Sequence, residues 1–160
     1  MVALITGCST GIGYSTALML ARNRFYSYAS MRNIVKSSSI KQRANKEALP
    51  LEVIRLDVND DLSVKNVIEE IVSKKGRIDI LVNNAGYGLI GPIEDISVEG
   101  LKAQFETNLF GVIRVTQAVL PIMRRQKEGG RIINVSSIGG ILLAQPIAVP
   151  SLHLRDYLNQ

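Results

Sequence analysis

The sequence predicts an α/β fold in which a parallel sheet is covered by helices on both faces, a doubly wound arrangement. Three observations carry this prediction. Short apolar runs alternate with helical patterns along the 160 residues. A glycine-rich turn, residues 6–13, follows the first apolar run directly. Polar residues close two later apolar runs, and the carboxyl ends of parallel strands are where open α/β sheets bind ligands.

The individual elements follow from length and periodicity. Apolar runs predict five strands, at residues 2–5, 25–30, 51–57, 78–82 and 131–136. Helices are predicted at residues 12–21 and 97 to about 125, and residues 35–48 form a polar helix or a loop. The clearest helix has apolar residues at helical spacing from Val64 to Val72, with Asp60 or Asp61 as its N-cap and Gly76 as its stop.

The glycine-rich turn indicates a nucleotide site. Gly7, Gly11 and Gly13 allow a tight exit from the strand, close approach of backbone to a diphosphate, and close packing of the next helix. The free N–H groups at that helix start favour a bound anion. The spacing differs from both Gly-x-Gly-x-x-Gly and the Walker phosphate loop. The alternative is a turn that uses glycine for its backbone geometry alone.

Composition limits the other functions. A hydrophobic content of 46% suits one globular domain with its own core. Cys8 is the only cysteine, so no internal disulfide can form and a cytoplasmic location is expected. We expect Cys8 to be a packing residue rather than a reactive thiol. The net charge is +5, but no aromatic residues interleave with the basic residues, which argues against nucleic-acid binding. Glycine and hydroxyl residues interrupt the uncharged stretch before Arg22, so we predict no membrane span there. We assign no metal ligands.

Three further segments extend the pattern of the turn. Asn83-Asn84-Ala85-Gly86 closes the fourth predicted strand, Asn108 lies in the long helix, and Asn134-Val135-Ser136-Ser137 closes the fifth strand. With these segments the chain resembles the short-chain dehydrogenase/reductase family, and most of all its hydroxysteroid and retinol dehydrogenase branch. The resemblance implies a Rossmann-type dinucleotide-binding domain over residues 1–149, followed by a divergent tail, residues 150–160.

The resemblance implies a nicotinamide dinucleotide as cofactor. Asp57 would accept from the adenine amino group beside Val58, with a helix N-cap as its alternative role. No acidic residue ends the second strand to bind a ribose 2′-hydroxyl, and Arg32 is available there for a 2′-phosphate, so NADP(H) is favoured over NAD. The alternative is that Arg32 is one exposed cation among many. The remaining cofactor-binding residues implied are Thr6, Gly7, Ser9, Thr10, Gly11, Ile12, Gly13, Asn84, Ala85 and Gly86.

The resemblance also implies catalytic residues. Ser137, with Ser136 as its rival, would polarise the carbonyl of a small hydroxyl or carbonyl substrate, steroid-like or retinoid-like. Asn108 would hold its helix and carry a water in the proton relay, and we favour the structural role. Its helix has an apolar stripe of Leu101, Phe105, Leu109, Val112 and Thr116, which predicts that Asn108 is largely buried.

The family's catalytic tyrosine and lysine should fall at or beside Pro150 and Leu154, and neither is there; no lysine follows Lys127. We therefore expect a C-terminally truncated or frame-shifted copy of such a domain, or the product of an altered splice or gene model. In each case we expect an exposed fifth strand and reduced stability. Two hypotheses result: an NADP(H)-dependent oxidoreductase by descent that is inactive as the chain stands, or a non-catalytic nucleotide-binding or protein-interaction module. The oligomeric state stays open, a homo-oligomer included.

Overall fold

The fold is a five-stranded parallel sheet in the order β3-β2-β1-β4-β5. It is taken from a computed structural model, which describes residues 1–137. The strands are β1 (Val2–Ile5), β2 (Tyr26–Met31), β3 (Leu51–Arg55), β4 (Ile80–Asn83) and β5 (Arg131–Asn134). The strand order reverses between β1 and β4, as in a Rossmann-type doubly wound sheet. The predicted fold class is therefore confirmed, whereas the predicted tail, residues 150–160, lies outside the described residues.

Helices cover both faces of this sheet. They are α1 (Gly11–Arg22), α2 (Ser38–Lys46), α3 (Asp61–Lys75), α4 (Val98–Phe105) and α5 (Gly111–Arg125), with short 3-10 turns at Ile34–Ser37 and Ile93–Asp95. The pair α1 and α2 lies on one face, and α3 and α5 pack together on the other. Within residues 1–137, none of these helices is both long and apolar enough to cross a lipid bilayer.

The sheet separates two apolar cores. Along β1, Val2 and Leu4 face the core under α3 and α5, while Ala3 and Ile5 face the core under α1 and α2. Because both faces are covered, all four residues of β1 are buried. This explains why the strand appears in the sequence as an uninterrupted apolar run.

Helix α3 forms as its sequence predicts. Asp60 is the N-cap, and its Oδ1 accepts hydrogen bonds from the backbone N–H groups of Leu62 (2.9 Å) and Ser63 (3.2 Å). Gly76 ends the helix with a left-handed φ of 71°. The helix buries the predicted apolar face, namely Val64, Val67, Ile68 and Ile71.

The predicted long helix is interrupted. A π-helical turn, Glu106–Phe110, separates α4 from α5, and such a turn adds one residue to the helical repeat. The buried face of α5 is formed by Gly111, Val115, Val119 and Met123. The predicted stripe was wrong: Phe105 is 46% exposed and Leu109 is 44% exposed. The predicted burial of Asn108 was also wrong, since it lies on the exposed side of the π turn.

Candidate functional site

A cleft of about 480 Å³ opens at the carboxyl ends of the strands. The loops after β1, β2, β3 and β4 form its walls, and the start of α1 forms one side. It lies where the strand order reverses, which is the usual ligand position in doubly wound sheets. Its lining residues are Gly7, Ser9, Thr10, Ile12, Met31, Arg32, Asn33, Lys36, Leu56, Asp57, Val58, Asn59, Asn84, Ala85, Gly86, Tyr87 and Thr107.

Two glycines of the turn are required by packing. A Cβ on Gly7 would lie 2.8 Å from Cα of Ala85, and Gly7 has a φ of 72°. A Cβ on Gly13 would lie 2.6 Å from the carbonyl oxygen of Gly7. Gly11 differs from both, because its φ is 65° while the space above it is open. An open backbone position is what the close approach of a diphosphate requires.

The N-terminus of α1 lies beside this cleft. Thr10 is the N-cap in extended conformation, but its side chain makes no capping hydrogen bond, and the first turn has no acidic residue. Ser9, Thr10 and Ile12 line the cleft beside it. The positive end of the helix dipole and its free N–H groups therefore suit an anionic ligand.

Thr6 lies beneath the cleft rather than in its lining. Its side chain is buried, and Oγ1 accepts hydrogen bonds from the backbone N–H groups of Asn84 and Ala85, both at 2.9 Å. The Asn84 side chain donates in return to the carbonyl oxygens of Thr6 (2.9 Å) and Gly7 (3.1 Å). These bonds join the turn after β1 to the loop after β4, so two walls of the cleft are fixed to each other.

Cys8 is the packing residue that the sequence predicts. It is fully buried, and its Sγ donates to the carbonyl oxygen of Ile5 at 3.2 Å. Burial raises the pKa of the Cys8 thiol to about 12. The thiol therefore stays protonated at neutral pH and is a poor nucleophile.

The loop after β3 provides a carboxylate to the cleft. Asp57 accepts a hydrogen bond on Oδ1 from the backbone N–H of Asn59 at 3.1 Å. Because Asp60 caps α3, the alternative role of Asp57 as that N-cap was wrong. Asp57 and Val58 both line the cleft, and their contact with adenine stays a prediction.

Two cations lie at the cleft beyond β2. Arg32 directly follows Met31, the last residue of β2, and Lys36 lies in the 3-10 turn that follows. Both side chains are exposed, and neither forms an ion pair with any residue in the described range 1–137. Lys36 was not predicted as a site residue, because residues 35–48 form only a generic polar segment in the sequence. Asn33 and Tyr87 were not predicted either, since no sequence signal marks them.

The two predicted catalytic residues lie outside the cleft lining. Asn108 donates from Nδ2 to the carbonyl oxygen of Tyr87 at 2.7 Å and accepts on Oδ1 from its N–H at 3.0 Å. Both ends of the amide thus hold the loop after β4. Ser137 follows β5 by three residues and is exposed, as is Ser136. The positions of Pro150 and Leu154 lie outside the described residues.

The sheet order, the glycine turn and the cleft define a Rossmann-type doubly wound domain, and comparison with known proteins gives its family. The family model for the short chain dehydrogenases matches residues 1–149, and the chain belongs to that family. Nicotinamide dinucleotides are the cofactors of this family.

Among its relatives, the chain is 43% identical to retinol dehydrogenase 8 of Bos taurus over 143 residues, which is 86% of this chain and 45% of the relative. It is 39% identical to 17-beta-hydroxysteroid dehydrogenase type 1 of Mus musculus over 147 residues, covering 88% and 42%. A crystal structure of a gluconate 5-dehydrogenase from Burkholderia cenocepacia J2315, in complex with NADP and tartrate, superposes with a TM-score of 0.83 at 33% identity, over 94% of this chain and 58% of that one. The chain thus spans less than half the length of these two curated relatives.

Proposed function

We propose that this chain binds NADP(H) and that it is, by descent, an oxidoreductase of the kind that interconverts hydroxyl and carbonyl groups. The observation that carries the cofactor choice is the pair of exposed cations, Arg32 and Lys36, in the wall of the same cleft as the glycine turn. No acidic residue follows β2, where NAD-preferring sheets use a carboxylate for the ribose 2′-hydroxyl. Two cations there favour a 2′-phosphate instead.

The other cleft residues fit the remaining parts of such a dinucleotide. The uncapped start of α1 and the open space at Gly11 suit the diphosphate. Asp57 and Val58 would flank the adenine, whose amino group can donate to the carboxylate. Asn84, Ala85 and Gly86 would hold the half that carries the nicotinamide.

When bound, the nicotinamide supplies the hydride equivalent of the reaction. In this proposal Ser137 polarises the substrate carbonyl, and Asn108 keeps the loop of Tyr87 in place through its two hydrogen bonds. The names of the relatives, a retinol dehydrogenase and a 17-beta-hydroxysteroid dehydrogenase, suggest an apolar alcohol as the substrate class. A cytoplasmic location is proposed on the single buried cysteine.

The cofactor choice is tested by calorimetric titration with NADPH and NADH. We expect tighter binding of NADPH, and Arg32→Ala should weaken it by roughly tenfold, the lower end of a charge-assisted hydrogen bond, because the site is exposed. Lys36→Ala should act in the same direction. Lys41→Ala is the matched control, since Lys41 is an exposed cation of α2 away from the cleft lining. NADH affinity should be nearly constant throughout.

Equal affinities for the two nucleotides, unchanged by Arg32→Ala and Lys36→Ala, would refute the NADP(H) assignment. Equal losses in all three lysine and arginine variants would show that only overall charge matters. The absence of binding of either nucleotide would refute the function itself.

A specific observation favours binding without turnover for the 160-residue chain: Pro150 and Leu154 stand where the family's tyrosine and lysine are expected. General acid–base catalysis contributes about 10²- to 10⁴-fold. We therefore propose that the purified chain binds NADPH but reduces no steroid, retinoid or simple ketone. Turnover that survives repurification and disappears in Ser137→Ala would overturn this and make Tyr157 or His153 the first candidate for the acid.

A further inference from the structure

The π-helical turn Glu106–Phe110 contacts two separate walls of the cleft. Thr107, within the turn, lines the cleft itself and accepts a hydrogen bond on Oγ1 from Asn59 Nδ2 at 2.9 Å. Asn108, the next residue, is bonded to both backbone groups of Tyr87. The turn thus lies between the loop after β3 and the loop after β4. Isolated π turns interrupt regular helical bonding and occur often at functional sites.

The side chain of Arg114, which lies outside the cleft lining, joins this turn to the loop after β3. The guanidinium of Arg114, in α5, donates from Nη1 to the carbonyl oxygen of Val58 at 2.7 Å. Its Nη2 donates to Glu106 Oε1, also at 2.7 Å, and its Nε to the carboxylate of Asp61. The side chain is only 22% exposed, so these bonds are partly shielded from water.

Arg114 does not line the cleft, but Val58, whose carbonyl oxygen it binds, does. Val58 follows Asp57, and both line the cleft, together with Asn59, at the end where the proposed function places adenosine. The contact is close, because a Cβ on Gly111 would lie 2.8 Å from Cγ2 of Val58. The position of residues 57–59 relative to the π turn is therefore set by Arg114, by the Asn59–Thr107 hydrogen bond and by the packing of Gly111.

We propose that Arg114 is a positioning residue of the nucleotide site: it fixes residues 57–59 for adenosine and, through the π turn, keeps Asn108 on Tyr87. This inference rests on the proposed nucleotide-binding function. Lysine cannot replace it fully, since a single ammonium group does not reproduce the planar fork that reaches three partners. Loss of Arg114 should thus affect adenosine binding and the Tyr87 loop together.

The test uses 2′,5′-ADP, a probe that carries the adenosine and 2′-phosphate groups but no nicotinamide. Arg114→Gln should weaken its binding by about 3- to 30-fold, the range expected for a residue that acts without touching the ligand. Arg114→Lys should fall between this variant and wild type. Arg124→Gln is the control, because Arg124 is an exposed arginine of the same helix; it makes the same charge change and should stay within about twofold of wild type.

A second measurement separates positioning from stability. Amide hydrogen exchange at Tyr87, whose N–H is bonded to Asn108, should accelerate in Arg114→Gln. Exchange at Cys8, whose N–H donates to the carbonyl oxygen of Ser30 at 2.8 Å, should keep its wild-type rate. All measurements are made at temperatures where circular dichroism shows each variant to be folded.

The outcomes separate the two claims. If wild type binds 2′,5′-ADP and Arg114→Gln binds it equally, the positioning role is refuted and the proposed function stands. A lower melting temperature with unchanged affinity and unchanged Tyr87 exchange also refutes it. If Arg114→Gln does not fold, Arg114→Lys decides, and wild-type affinity in that variant counts against the proposal. Failure of wild type to bind either 2′,5′-ADP or NADPH refutes the proposed function and this inference with it.

Discussion

Replacing Thr6 by valine removes one hydroxyl and keeps the shape of the side chain. That hydroxyl accepts from the backbone N–H groups of Asn84 and Ala85, at 2.9 Å each, so the substitution leaves two donors without a partner. Each unpaired buried donor costs about 1 to 3 kcal/mol. Because Asn84 and Ala85 are half-buried and water can reach them in part, we expect a total loss of about 2 to 4 kcal/mol.

Urea denaturation followed by circular dichroism measures this loss, and the melting temperature should fall by about 5 to 15 °C. Thr6→Ser keeps the hydroxyl and should recover most of the stability. Thr16→Val, at a half-buried position of α1, is the control for the exchange of threonine for valine. A Thr6→Val chain within about 0.5 kcal/mol of wild type would refute the reasoning, because surface-like changes stay inside that range.

Two further predictions concern the glycine turn and the buried thiol. Gly13→Ala should destabilise the chain more than Gly11→Ala, because the new Cβ at position 13 would meet the carbonyl oxygen of Gly7. Gly11→Ala should cost only about 1 to 2 kcal/mol, the strain of an alanine at a φ of 65°. Chemical denaturation compares the two variants, and an equal loss of stability would contradict the packing argument. Cys8 should not react with a thiol reagent at pH 8 until the chain is unfolded in urea. Its pKa is raised from 9.0 to about 12, so the unfolded state loses this proton first and stability should fall as pH rises from about 9 towards 12, by up to about 1.4 kcal/mol per pH unit. Cys8→Ala should flatten that fall, and a slope identical to wild type would refute the assignment.

The sheet and most of its helices could be predicted because their signals are local. Strand β1 is buried on both faces and is therefore apolar throughout, and α3 has its apolar face, its cap at Asp60 and its stop at Gly76 within one segment. The glycine turn was recognisable for the same reason. The residues that meet across the turn and the loop after β4 were recognised only through the family resemblance, since Thr6 and Asn84 are 78 positions apart.

The long helix shows where periodicity fails. The apolar residues place the stripe through Phe105 and Val112, whereas the buried positions are Gln104 and Gly111, one position earlier. The π turn Glu106–Phe110 also interrupts the helix that the periodicity predicts as continuous. No composition signal marks such a turn. Lys36 was missed for a different reason: its place beside Arg32 depends on the 3-10 turn Ile34–Ser37, which the polar sequence did not reveal.

The bonds that join Thr6 and Gly7 to Asn84 have a kinetic consequence. They link positions 77 to 79 residues apart, and contacts so distant along the chain form late because a long loop must close first. A refolding chain should therefore regain its helices before it can bind nucleotide. When a fluorescent nucleotide is added during refolding, its fluorescence should change only after β4 has paired with β1. This change should be slower than the change in far-ultraviolet circular dichroism that follows helix formation.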